Sequence, residues 1–81
     1  MVLTAERWAH ICDGHPELGP HLADVLAAVR EAEHVMPGRR PGEEWFYAEG
    51  VGPSRWLKIV ISFPDGEPGR IITSFGRRRK P

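Results

Sequence analysis

Arg55-Trp56-Leu57-Lys58-Ile59-Val60-Ile61-Ser62-Phe63 is the longest apolar run in the chain. β-Branched and aromatic residues dominate it. Turn-forming residues close both its ends, Gly50-Val51-Gly52-Pro53-Ser54 before and Pro64-Asp65-Gly66-Glu67-Pro68-Gly69 after. At period two, Arg55, Leu57, Ile59, Ile61 and Phe63 share one face, and Trp56, Lys58, Val60 and Ser62 share the other. Apart from Arg55, the first face is a core face. The second is half polar, with a lysine at its centre. The run therefore reads as the central strand of a small antiparallel sheet, with helices on one face and the other left free. A lysine there also fits simple snorkelling to water from an open sheet face.

The elements on either side fit that sheet. Trp45-Phe46-Tyr47 centres a strand over residues 43–49, and residues 70–75 form a last strand. In that last strand Ile71, Thr73 and Phe75 fall on one face and Ile72 and Ser74 on the other. Residues 36–42, MPGRRPG, read as a loop, with a short edge pairing available to residues 35–39. Upstream, Thr4 is an N-cap for a short helix over residues 5–13, where Trp8, Ile11 and Cys12 make a buried stripe. Gly14 ends it as a C′ glycine. Pro16 starts one helical turn and Pro20 a second helix to residue 33, with Leu22, Val25, Leu26 and Val29 continuing the stripe begun by Leu18. The fold class is α+β: two N-terminal helices packed on one face of a three- to four-stranded antiparallel sheet, a meander, in one domain over residues 1–81.

A chain of 81 residues builds only a modest core, burying about 60% of the surface its unfolded form exposes. Its formal net charge is zero, which argues against a generic polybasic nucleic-acid binder. The distribution is uneven. Residues 1–36 hold two Lys or Arg against six acids, and residues 37–81 hold nine against five. An acidic helical side and a basic sheet side follow, and the basic side suits a phosphate backbone unless the two halves neutralise each other in packing. Cys12 is the sole cysteine, so no internal disulfide forms, and on an apolar helix face it acts as a small hydrophobe. Neither a signal peptide nor a transmembrane run is apparent, so the expected compartment is the cytoplasm and no membrane partner is expected.

Two groups of residues carry chemistry. His10 and His15 would lie about 140° apart on one continuous helix, but Gly14 and Pro16 break it, so the rings can converge at a corner. At a helix C-terminus the dipole favours the imidazolium at His10; at a helix N-terminus it favours the neutral ring at His15. Opposite protonation states are what acid–base cleavage of a phosphodiester needs. The alternative is a helix-end charge partner and a poor N-cap. His10, Asp13 and His15 are metal-capable, but nothing completes a recognisable metal spacing, and no metal or cofactor is expected. His21 and His34 read as helix-surface residues. The second group is Lys58, Thr73, Arg77 and Arg78. A hydroxyl, an ammonium and guanidiniums on one sheet face make a phosphate-binding set, to which Arg55 at the start of the strand adds a charge. Trp56, Tyr47 or Phe75 offers a ring for a base.

The order Trp8-x-His10-Ile11, His15-Pro16-Glu17-Leu18, Trp45-Phe46-Tyr47, the Trp56–Ile61 strand and Ile71-Ile72-Thr73-Ser74-Phe75 resembles the small phage- or toxin-type domains of the barnase–EndoU–colicin–RelE superfamily. The resemblance runs from about Trp8 to Arg78. The closing strand reads Thr-Ser-Phe where the family pattern carries Thr-Ala-Tyr. The resemblance implies helices on one sheet face, a cleft on the other, and metal-independent RNA cleavage by attack of the ribose 2′-hydroxyl. Carried over by position, His10, His15, Lys58 and Thr73 form the catalytic set. One histidine acts as base and the other as acid, Lys58 and Arg77 stabilise the phosphorane, and Thr73 positions a phosphate oxygen. Arg55, Trp56, Arg77 and Arg78 are the expected substrate contacts. RNA is the expected partner, and an antitoxin or immunity protein is implied by family likeness alone. The rival expectations are a non-catalytic RNA- or protein-binding module of the same fold and a small interaction domain that dimerises through a sheet edge or its exposed aromatics.

Overall fold

The computed structural model describes residues 3–32, 34–65 and 68–79. Helix α1 (Ala5–Gly14) leads through a 3₁₀ segment (Pro16–His21) to α2 (Leu22–Glu31), followed by β1 (His34–Pro37), β2 (Glu43–Glu49), β3 (Trp56–Ser62) and β4 (Arg70–Arg77). The four strands form one antiparallel sheet in chain order, β1-β2-β3-β4. The fold is α+β, and β1 supplies the edge strand from the segment expected to be mostly loop. The expected helix end at residue 33, the centre of the turn at 66–67, and residues 1–2 and 80–81 lie outside the described residues.

Thr4 caps α1, its Oγ1 accepting the backbone N–H of Arg7 at 3.1 Å, so one orphan donor of the first turn is satisfied. The other end differs from expectation. Gly14 is the last helical residue and is not in the left-handed region; among the described residues only Gly42, Gly50 and Gly52 are. The helix stops because Pro16 disfavours helical backbone at the residue before it. His15 takes φ −136° and ψ 75°, while its N–H still reaches the Ile11 carbonyl at 2.8 Å. Pro20 falls inside the 3₁₀ segment rather than opening α2. In α2 the buried positions are Val25 and Ala28, while Leu22 and Leu26 stay 39% and 43% exposed. The stripe is thus narrower than the leucine spacing suggested.

Ile11, Leu18, Val25 and Ala28 pack with Leu57, Ile59, Ile61 and Ile71 into one core. Each of the isoleucine, leucine and valine side chains contributes about 1.5–3 kcal/mol through removal from water, and Ala28 less. The register explains which strand residues join it. Ile59 pairs with Ser74 and Val60 with Thr73, but Ile61 pairs with Ile71, so Ile72 is an extra residue in a bulge. The bulge reverses the alternation expected for β4. Ile71 and Ser74 lie on the core face, and Thr73 and Phe75 lie on the opposite one. Ser74 is fully buried there, and its hydroxyl donates to the Lys58 carbonyl at 2.8 Å, which satisfies it.

The face opposite this core is not bare. Tyr47 and Trp56 lie on it, 1% and 3% exposed, and Val60 is buried beside them. Lys58 and Arg77 lie over the Tyr47 ring, and His34 meets Trp56. Among the described residues no helix is long and apolar enough to cross a membrane.

Candidate functional site

Lys58 stands at the centre of this second face, opposite Tyr47 on β2 and Phe75 on β4. Its Nζ sits 3.6 Å from the Trp45 ring centroid, with the Tyr47 and Phe75 rings at 5.7 and 5.5 Å. The aromatic faces attract the ammonium electrostatically, and the pleat puts all four side chains on one side. Arg77, opposite Trp56, donates from Nη1 to the Tyr47 hydroxyl at 3.1 Å, and its guanidinium carbon is 5.6 Å from the Tyr47 ring. One buried phenol therefore connects β2 to β4 across β3. Thr73 is half-buried, opposite Val60 and two positions from Phe75, on the same face as Lys58.

His15 joins the group from outside the sheet. Its ring stacks on Phe75, centroids 5.3 Å apart and planes at 27°, and its Nδ1 lies 3.4 Å from Glu17 Oε1. The Pro16-enforced break after α1 makes this possible, because it turns the chain and its imidazole toward β4. His10 takes no part. It is exposed on α1 and borders a groove with Thr4, Glu6 and Arg7, none of which belongs to the Lys58 cluster. The expected convergence of the two histidines is therefore not formed. His15, Lys58, Thr73 and Arg77 come together without His10.

The remaining expected contacts lie at the far end of the face. Arg55 is exposed and donates from Nε to Glu49 Oε2 at 3.1 Å. Arg78 is exposed, and with Arg55, Glu49, Trp56 and His34 it lines a shallow cavity of about 450 Å³. Trp56 is buried and meets His34 edge-on at 5.4 Å, so it presents an edge rather than an open ring.

Sequence reasoning missed two members of this surface. His34 was expected on a helix surface, yet it lies on β1 opposite Tyr47. Trp45 was read only as a strand former. Its position two residues before Tyr47 on one strand was the available signal, since period two places both rings on the lysine's face once the register is known. His21, also expected on a helix surface, is the last residue of the 3₁₀ segment, its Nδ1 2.7 Å from Asp24 Oδ2. Among the described residues no group of three or more His, Cys, Asp or Glu side chains is arranged to hold a metal ion.

No protein-family model, no curated protein and no solved structure matches the chain.

Proposed function

We propose that the protein is a metal-independent endoribonuclease of the barnase–EndoU–colicin–RelE type, acting in the cytoplasm, with the helices on one side of the sheet and RNA on the other. The observation that carries this reading is the placement of an imidazole, His15, against Phe75 beside the Lys58 ammonium, with Thr73 and the Arg77 guanidinium on the same face. An RNA backbone lying along Arg77 and Lys58 meets two cations. His15 takes the proton of a ribose 2′-hydroxyl, and the freed oxygen attacks the adjacent phosphorus. Lys58 stabilises the phosphorane charge and protonates the departing 5′-oxygen, Arg77 holds a non-bridging oxygen, and Thr73 orients another. The products are a 2′,3′-cyclic phosphate and a 5′-hydroxyl. His10 has no role in this scheme.

A second reading has its own support. With His10 on another surface, the Lys58 cluster holds one imidazole rather than two. That favours a module that binds RNA without cutting it.

Cleavage of end-labelled RNA in EDTA, free and on ribosomes, separates them. Cleavage to cyclic phosphate ends, lost about 100-fold or more in His15→Ala and kept within a few fold in His10→Ala, is the expected result. Salt-sensitive RNA binding with no cleavage by folded wild type selects the second reading. Neither binding nor cleavage removes both.

A further inference from the structure

Trp45 is held in place more firmly than an ordinary half-exposed indole. Its Nε1–H donates to Glu43 Oε2 at 3.1 Å, and the same oxygen accepts the Arg39 backbone N–H at 2.8 Å. Glu43 is the first residue of β2, and its carboxylate ties the indole to Arg39 in the β1–β2 turn, so strand and turn together fix the rotation of the ring. One face of that ring is occupied by the Lys58 ammonium at 3.6 Å, with Tyr47 and Phe75 completing a three-ring surround. Aromatic surrounds of this kind hold cationic ligands in many proteins. Here the occupant is the chain's own lysine.

We propose that Trp45 is the stacking platform for one nucleobase of single-stranded RNA, and that Lys58 is its exchangeable occupant. A base arriving on the indole displaces the ammonium, which turns to the phosphate of the same nucleotide. Every nucleobase presents a π-face to an indole, whatever the sequence. Lysine suits the exchange because its charge is compact and its four-carbon stem flexible. A half-exposed cation–π contact is also weaker than a charge-assisted contact to phosphate. The arrangement couples two recognitions through one side chain. A free base must evict Lys58 with nothing gained in return, whereas a nucleotide supplies both the replacement ring and the new partner for the ammonium. The inference rests on the nucleic-acid reading of this face and is independent of cleavage.

The test uses a 2′-O-methyl tetra-adenylate, which lacks the attacking hydroxyl and stays intact, and adenosine, which lacks phosphate. The chain has three tryptophans, so the Trp45 indole N–H resonance is identified by its loss in Trp45→Phe. The oligonucleotide is expected to shift that resonance, and Trp45→Leu to weaken its binding about tenfold to a hundredfold, with Trp45→Phe close to wild type. Lys58→Met gives a crossed result: adenosine binds it more tightly than wild type, and the oligonucleotide binds it less tightly. Binding that leaves the Trp45 resonance still, or a Lys58→Met effect of the same sign for both probes, overturns the exchange while leaving the ribonuclease proposal standing. The shift and the crossed result without cleavage of unmodified RNA support the exchange and remove the ribonuclease proposal. No oligonucleotide binding by wild type overturns both. Should Trp45→Leu fail to fold, the wild-type shift and the Lys58→Met pair decide.

Discussion

Tyr47 and Arg77 should behave as one energetic unit, and a double-mutant cycle measures it. The phenol is 1% exposed, and its hydroxyl accepts from Arg77 Nη1 at 3.1 Å. Tyr47→Phe keeps the ring, opens no cavity and leaves Arg77, itself only half-buried, able to turn to water. The expected loss is that of one hydrogen bond, about 1 kcal/mol. Scaled by an unfolding entropy of about 2.1 cal/mol/K per residue over 81 residues, that lowers Tm by about 6 °C. Arg77→Leu is worse. It strands a buried hydroxyl without its donor and removes a guanidinium lying 5.6 Å from the ring, so about 2 kcal/mol is expected. The double variant should lose about 2 kcal/mol rather than about 3, because replacing both partners leaves nothing unsatisfied. Urea denaturation with an unchanged m-value reads all four proteins. Additivity within about 0.4 kcal/mol means the contact is not made in water, and the tie between β2 and β4 through this phenol is then wrong.

Two glycine substitutions should move stability in opposite directions. Gly14→Ala places a methyl where nothing lies within 4 Å, at a helical position with ordinary backbone, so a gain of about 0.5–1 kcal/mol is expected; a loss in thermal unfolding would restore the C′-glycine reading and remove the role given to Pro16. Gly42→Ala must hold φ at +78° with its Cβ 3.0 Å from the Phe63 carbonyl oxygen, so a loss above about 1 kcal/mol is expected, and an unchanged midpoint would mean the β1–β2 turn takes another form in solution.

How much of this was legible in the sequence depended on whether a feature is local. β2 was delimited to the residue by the aromatic run Trp45-Phe46-Tyr47 between Gly42 and Gly50, and β3 nearly so by period two, because turn residues and composition are properties of neighbouring positions. The face assignment of β4 failed for the opposite reason. A bulge is a mismatch between two strands, and nothing within Ile71-Ile72-Thr73 announces that Ile72 will be the unpaired residue. The α2 stripe was misjudged because Leu22 and Leu26 sit at helical spacing from Val25 and Val29, yet the sheet covers only part of that arc. For the candidate site, Lys58 and Thr73 were expected to share a face if β4 neighboured β3; β4 does, and the register puts both with Arg77 on the second face, which decides their placement and not their roles. The histidine corner was not legible. It turns on how Pro16 bends the chain after α1 and on a stack between His15 and Phe75, residues sixty positions apart in the chain.

Three of the cations around the second face share a property that no single residue shows. Lys58 rests on Trp45, Arg77 on the Tyr47 hydroxyl and ring, and Arg55 on Glu49. Each is already engaged within the chain, so any anion must compete for it. The competition is uneven. A half-exposed cation–π contact contributes about 0.5–1 kcal/mol and an exposed ion pair no more, whereas a hydrogen bond from a charged donor is worth about 1.5–3 kcal/mol. A phosphate therefore outbids the indole at Lys58 and the carboxylate at Arg55, whereas Arg77 already makes a hydrogen bond of the charged-donor kind to the Tyr47 hydroxyl, and a neutral aromatic ligand outbids none of these partners. With eleven Lys and Arg balanced by eleven Asp and Glu, the protein carries no net positive charge to gather any polyanion. On the proposed reading, selectivity on this face comes from a ligand that presents phosphate and ring at a spacing matching Lys58 and Trp45, not from charge alone.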